Sequence, residues 1–241
     1  MLFPLRDHNP RTRLPVVTWL LIAANVVIFL YQQFELTPQQ RQLLALAGGA
    51  IPYEIVNWVD LRPRDLLPLP GSIFTSMFLH GGLMHLIGNM WFLWIFGDNV
   101  EERLGTIRYV VFYAVVGTVG ALAQAFSSPL STVPMIGASG AIAGVLGGYV
   151  MLFPRAQVRT FVGIPFLWHI RDVPAWFFLG VWFLGQFLIP SNSGVAWIAH
   201  VGGFLAGLGA VRLLARTRPQ SPTAPPDVEY LPPPPPRWRQ R

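Results

Sequence analysis

Between Pro15 and Val211 the chain alternates apolar stretches with short segments that carry its charge, and no aspartate or glutamate falls inside any of those stretches. A helix crossing a bilayer needs about 17 to 25 predominantly apolar residues. Six stretches read as spans of this kind, at residues 15–31, 75–97, 109–126, 139–153, 174–189 and 194–211, some of them shorter than usual. Composition agrees: 53% of residues are apolar and 12% are charged, against about 25% charged in soluble domains. The first stretch has no small-residue cleavage site behind it, so it reads as a retained helix and not as a signal peptide. The expectation is an all-α, polytopic membrane protein with a six-helix bundle over residues 15–215. An N-terminal segment, residues 1–14, precedes it. A tail, residues 216–241, follows with nine prolines and reads as extended or disordered.

Arginine fixes the expected orientation. All 17 basic residues are arginine. With the N-terminus inside, fourteen of them fall on the cytoplasmic side, and only Arg41, Arg62 and Arg64 fall outside. That is a positive-inside bias, and six spans return the C-terminus to the cytoplasm. No basic run forms a stripe for nucleic acid. The absence of cysteine excludes disulfides, thiolate metal sites and cysteine nucleophiles. The first outer loop, residues 32–74, places Trp58, Leu61, Leu66 and Leu67 among charges and reads as partly interfacial.

Ionisable and polar groups inside spans are rare and mark function by default. Those that stand out here are His80, His85 and Asn89 on the second span, Ser139 opening the fourth, and His200 on the sixth. Without intramembrane carboxylates, paired-aspartate proteolysis and carboxylate-driven proton transport are disfavoured. No H-E-x-x-H motif appears for zinc. At 1.5 Å of rise per residue, His85 lies about 20 Å above Asp98, Ser139 about 24 Å above Arg155, and His200 about 18 Å above Arg212. All three therefore fall in the outer half of a hydrocarbon core about 30 Å thick. The fourth span is too short to cross alone, so residues 127–138 are expected to dip into the membrane as a loop, which requires a water-filled cavity or burial in protein. Ser139 then opens a helix whose free N–H groups favour negative charge, with Gly137 and Gly140 letting the backbone turn and approach.

Gly140, Gly144 and Gly148 recur every four residues on the fourth span, and Gly203 and Gly207 do so on the sixth. Such stripes let two helices touch backbone to backbone, which would bring His200 to Ser139. An imidazole there can take the serine proton, and either His85 or Asn89, one turn apart, can donate to an oxyanion. Taken singly, each residue has a plainer reading. A serine or asparagine in a span ordinarily packs or bonds across helices, and a lone histidine is ordinarily a satisfied polar contact. His80, His85 and His200 could also suggest a metal, but no carboxylate assists, and no cofactor is expected. Trp91, Trp94, Trp176 and Trp182 read as lipid-facing or core aromatics, and Glu101, Glu102 and Arg103 as a solvated cytoplasmic turn.

The stretch FLHGGLMHLIGNMWFLWIFGDNVEERLG from Phe78 to Gly105, the Gly137-Ala138-Ser139-Gly140 quartet, and Ala199-His200 followed by Gly203 and Gly207 together resemble the rhomboid intramembrane serine proteases. The resemblance covers about residues 70–211. It implies Ser139 as nucleophile and His200 as general base without an acidic third member. It further implies an oxyanion hole of His85, Asn89 and the Ser139 N–H, and a structural role for His80. It also implies transmembrane-helix substrates cut near the outer face, a preference for small residues at the cut, and the fifth span as a lateral gate. Two departures stand out. Ala143 occupies a position where some members carry an aromatic against the histidine, and Trp58 and Arg62 are separated where part of the family pairs them. A non-catalytic relative that binds transmembrane helices is the competing expectation, and a transporter the third; no internal repeat favours the latter. A bacterial plasma membrane is the expected location. The partner of the proline-rich tail and the oligomeric state are not legible.

Overall fold

The computed structural model describes residues 2–61, 67–164, 167–190 and 193–215. Arg62, Arg64, Leu66 and the whole proline-rich tail lie outside the described residues. What is described is predominantly helical: α1 (Val16–Phe34), α2 (Pro38–Gly48), α3 (Pro52–Asn57), α4 (Gly71–Ser76), α5 (Leu83–Leu104), α6 (Thr106–Ser127), α7 (Ser139–Leu152), α8 (Ala175–Gln186) and α9 (Trp197–Leu214). Three of them, α1, α6 and α9, are long and apolar enough to cross a membrane, while α7 and α8 are shorter apolar helices. Helix α5 has 22 residues, but its last two turns carry Asp98, Glu101, Glu102 and Arg103.

Four expectations need correction. The fold is not purely α-helical, because β1 (Leu2–Asp7), β2 (Gln157–Ile164) and β3 (Leu167–Pro174) form an antiparallel sheet in that order. Their β-branched and aromatic residues suit a pleated surface. Phe161 stacks on Trp168 with ring centroids 5.5 Å apart, and Arg159 pairs with Asp172 at 3.4 Å across the strands. The N-terminal segment is thus packed against the loop between α7 and α8. Its Pro4 carbonyl accepts the Trp91 indole N–H at 2.7 Å.

The second expected span is two helices. Chain 77–82 breaks it at Gly81 and Gly82, and α5 then runs seven residues beyond the expected end at Gly97. His80 consequently precedes the helix that carries His85 and Asn89. The third correction concerns Glu101, which is buried and not solvated. Its carboxylate accepts the backbone N–H groups of Val17 and Thr18 at 2.9 and 2.8 Å, and the Thr18 hydroxyl at 2.8 Å. The first turn of α1 has N–H groups without intrahelical partners, and its N-cap, Pro15, has no side chain to satisfy them. Glu101 does so from across the bundle, and Glu102 likewise takes the Thr12 N–H at 3.0 Å.

The fourth correction is one of face. Helix α9 lies against both α6 and α7. Gly203 abuts the Gly140 carbonyl and Gly207 the Gly144 carbonyl, leaving no room for a Cβ at either. Gly147, outside the expected stripe, meets the Phe204 carbonyl in the same way, whereas Gly148 faces Phe112 of α6, whose Cζ would lie 2.9 Å from a Cβ there. On the other side of α9, a Cβ at Gly120 would lie 2.7 Å from the Ala199 carbonyl oxygen.

Candidate active site

Three helices begin at one place. His85 is in the first turn of α5, Ser139 is the first residue of α7, and His200 is in the first turn of α9. Their positive dipole ends point together, a setting that favours negative charge. The loop between α6 and α7 is pinned from outside the bundle. Ala50 and Met135 exchange backbone hydrogen bonds of 3.0 and 2.8 Å, Tyr53 donates to the Ser131 carbonyl at 2.9 Å, and Gly137 donates to the Ser76 carbonyl at 2.8 Å. Gly137 has φ +123°, a conformation that side-chain-bearing residues rarely adopt, and this bend swings the chain into α7.

The glycine contacts between α7 and α9 seat His200 Nε2 2.8 Å from Ser139 Oγ. Sixty-one residues separate the two in sequence. Both are half-buried, and both line a cavity of about 1020 Å³ together with His85, Asn89 and Trp182. A second cavity of about 480 Å³, near Arg13, Glu102 and Arg108, is lined by none of the residues expected from the sequence to carry chemistry.

His85 is held against the loop: a Cβ on Gly137 would lie 2.6 Å from its Cε1 and 2.7 Å from its Nε2. The same Cβ would be 3.6 Å from Asn89 Nδ2. His85 and Asn89 thus flank the backbone that leads into Ser139, whose own N–H is one of those an α-helix leaves unbonded at its start. Buried His80 stands behind them. Its Nε2 lies 2.9 Å from Asn89 Nδ2, and its ring meets the His85 ring edge-on at 5.0 Å. The two glycines of the quartet differ in use: Gly137 supplies the turn, and Gly140 gives its carbonyl to the α9 contact.

The contacts that two residues of α8 make with His200 escaped the sequence reading. Gln186, buried at the end of α8, places Oε1 2.7 Å from His200 Nδ1. Trp182, one turn earlier, packs a ring 6.2 Å from the imidazole at 36°. The space an aromatic would occupy at Ala143 is thus not what supports the histidine; α8 does that. The signal in the sequence was Gln186 itself, a polar residue in an otherwise apolar stretch. Of the remaining tryptophans, Trp94 and Trp176 are exposed at 54% and 56%, and Trp91 stacks on Phe3 at 5.8 Å.

Comparison with known proteins identifies the family. The Rhomboid domain family matches residues 71–217. Rhomboid protease GluP of Bacillus subtilis is 29% identical over 204 residues, covering 83% of this chain and 35% of that protein. Rhomboid protease GlpG of Salmonella paratyphi A is 27% identical over 203 residues, covering 82% and 63% respectively. The mitochondrial Rhomboid protein 1 of Saccharomyces cerevisiae is 37% identical over 151 residues, covering 61% and 37%. The matched region is therefore under two thirds of the length of each of these three relatives. The apolar helices make this an integral membrane protein, and the family consists generally of intramembrane serine proteases, with inactive members among them. On the match over residues 71–217 and the motifs seated around the cavity, the chain belongs to the rhomboid family.

Proposed function

We propose that this protein is an intramembrane serine endopeptidase that cleaves transmembrane substrates near the outer membrane face. The observation that carries the reading is the 2.8 Å approach of His200 Nε2 to Ser139 Oγ on the wall of the cavity. The imidazole takes the hydroxyl proton as Oγ attacks the scissile carbonyl carbon. The negative charge on the carbonyl oxygen is met by the Ser139 N–H, His85 and Asn89. His200 then gives its proton to the departing amine as the C–N bond breaks. Water from the cavity hydrolyses the ester, with His200 again accepting a proton. No metal or cofactor is called on. Gly137, Gly140, Gly203 and Gly207 shape the site, and His80 steadies Asn89 from behind.

In this reading the bundle of residues 15–215 passes the bilayer six times, with both termini in the cytoplasm. The positive-inside distribution of arginine supports that orientation. Helix α8 is the lateral gate: Trp176 and Phe177 face outward, while Phe178 and Trp182 close the seam with Phe92 of α5 at ring distances of 6.5 and 6.4 Å. A substrate helix must unwind locally to offer its amide, so helix-breaking residues near a small-residue cut are favoured. The bacterial plasma membrane is the proposed location.

The test is labelling of the purified, detergent-folded protein with a fluorophosphonate serine probe, beside Ser139→Ala and His200→Ala variants checked by circular dichroism. Labelling of wild type and loss in both variants is the expected result. A folded wild type that stays unlabelled in several lipids rejects the protease in favour of a relative that only binds transmembrane helices.

A further inference from the structure

His200 is contacted at both ring nitrogens, and the pair of contacts has a fixed polarity. A neutral imidazole has one N–H, so one nitrogen donates and the other accepts. Gln186 decides which. Its Nε2 donates to the Trp182 carbonyl at 3.0 Å; a carbonyl there demands a donor, so the amide nitrogen faces Trp182 and the amide oxygen faces His200. An amide oxygen only accepts. Nδ1 must therefore carry the proton, and Nε2 turns its lone pair to the Ser139 hydroxyl. That is the tautomer a general base needs.

We propose that Gln186 is a positioning residue that holds His200 in its base-competent tautomer and ring plane, and that it does so only while α8 is packed against α9. The proposal rests on the protease reading of Ser139 and His200. The second half follows from where the support sits. Gln186 and Trp182 both ride on α8, and α8 reaches α9 through side chains, with Phe183 and Phe204 rings 4.7 Å apart and Phe187 and Trp197 rings 5.6 Å apart. Ser139 and His200 are joined through backbone contact of α7 with α9. An outward swing of α8 thus leaves the backbone spacing of the pair intact and removes the acceptor at Nδ1. The ring is then free to turn and to change tautomer. In a neutral site the Gln186 oxygen also serves after proton transfer, because the imidazolium still has an Nδ1–H to give.

The experiment uses the full chain in liposomes with the fluorophosphonate probe. Gln186→Leu keeps the volume and removes the acceptor, whereas Gln186→Glu keeps an acceptor at the same reach. Nitrogen-15 NMR of histidine-labelled protein, with His200→Gln to assign the signal, reads the tautomer without any activity. Gln186→Leu is expected to lower the limiting labelling rate about ten- to hundredfold, with the probe's half-saturating concentration unchanged. It should also convert His200 from the single Nδ1–H tautomer to a mixture. Gln186→Glu should return to within about threefold of wild type. Wild-type labelling that Gln186→Leu leaves unchanged overturns the proposal, as does a Gln186→Glu variant as slow as Gln186→Leu, which would mean packing alone. An unlabelled wild type rejects the protease reading itself. In that event the NMR comparison still tests whether Gln186 sets the tautomer.

Discussion

Gly137→Ala is a small change with a large expected effect, because it meets two obstacles at once. The residue's φ of +123° is costly for any side chain, about 1–3 kcal/mol. The added Cβ would also stand 2.6 Å from His85 Cε1, about 0.8 Å inside the 3.4 Å at which ordinary contact begins. The loop cannot retreat easily, since Gly137 is tied to Ser76 and Met135 to Ala50. His85 must give way by nearly 1 Å. Misplacement of that size costs about a hundredfold in rate, similar to the loss of an oxyanion-hole donor. The assay is the limiting rate of fluorophosphonate labelling in liposomes, with thermal unfolding recorded in parallel. A two-by-two set with His85→Ala locates the cause. If Gly137→Ala acts through His85, the double variant is no slower than His85→Ala alone. Labelling of Gly137→Ala within about threefold of wild type, or effects that multiply in the double variant, would refute the argument.

Other outcomes follow from the same structure. Gly207→Ala must part α7 from α9, and overpacking of this kind costs about 1–3 kcal/mol or more; a lowered unfolding temperature together with lost labelling is expected. Glu101→Ala strands the first N–H groups of α1 and should destabilise by about 1.5–3 kcal/mol per lost charge-assisted bond, read by denaturation in detergent, with the labelling rate of the folded fraction unaltered. Asp7 is held by burial at a pKa of about 6 against the ordinary 3.8, although the Tyr149 hydroxyl at 2.7 Å opposes the rise. Its folded form therefore prefers the proton: the stability it contributes is complete below about pH 4 and is lost as pH climbs through 6. Asp7→Asn should flatten that part of the stability profile, and an unchanged slope between pH 4 and 7 would refute the assignment.

The elements easiest to read in the sequence were those set by local composition. The five expected spans other than the second lie within a few residues of α1, α6, α7, α8 and α9, because a long apolar run has few alternatives to a helix in lipid. The meeting of Ser139 with His200 was legible through the glycines, whose meaning is close backbone approach. The sheet was hidden because β1 gains its partner from a loop about 150 residues away, and nothing local to Leu2–Asp7 announces β2. Glu101 was misread for a related reason: its acceptors are satisfied by α1, a helix 83 residues earlier. Gln186 was not singled out, because a lone amide near a helix end carries no local sign of its partner. Only the fold shows that this end abuts the imidazole.

The contact of α7 with α9 divides the labour of holding the nucleophile and the base. Main-chain atoms have no rotamers, and at Gly203 against Gly140 and at Gly207 against Gly144 nothing else intervenes. The spacing between Ser139 and His200 is in that sense incompressible. Lateral pressure, bilayer thickness and temperature act instead on α8, whose hold on its neighbours is through aromatic side chains that can slide. A change of lipid is therefore expected to alter how often the imidazole is correctly turned and how readily a bulky chain gains access, while the main-chain spacing of the two helices stays constant. A small probe and a full transmembrane substrate should then respond to lipid to different degrees, the substrate more steeply.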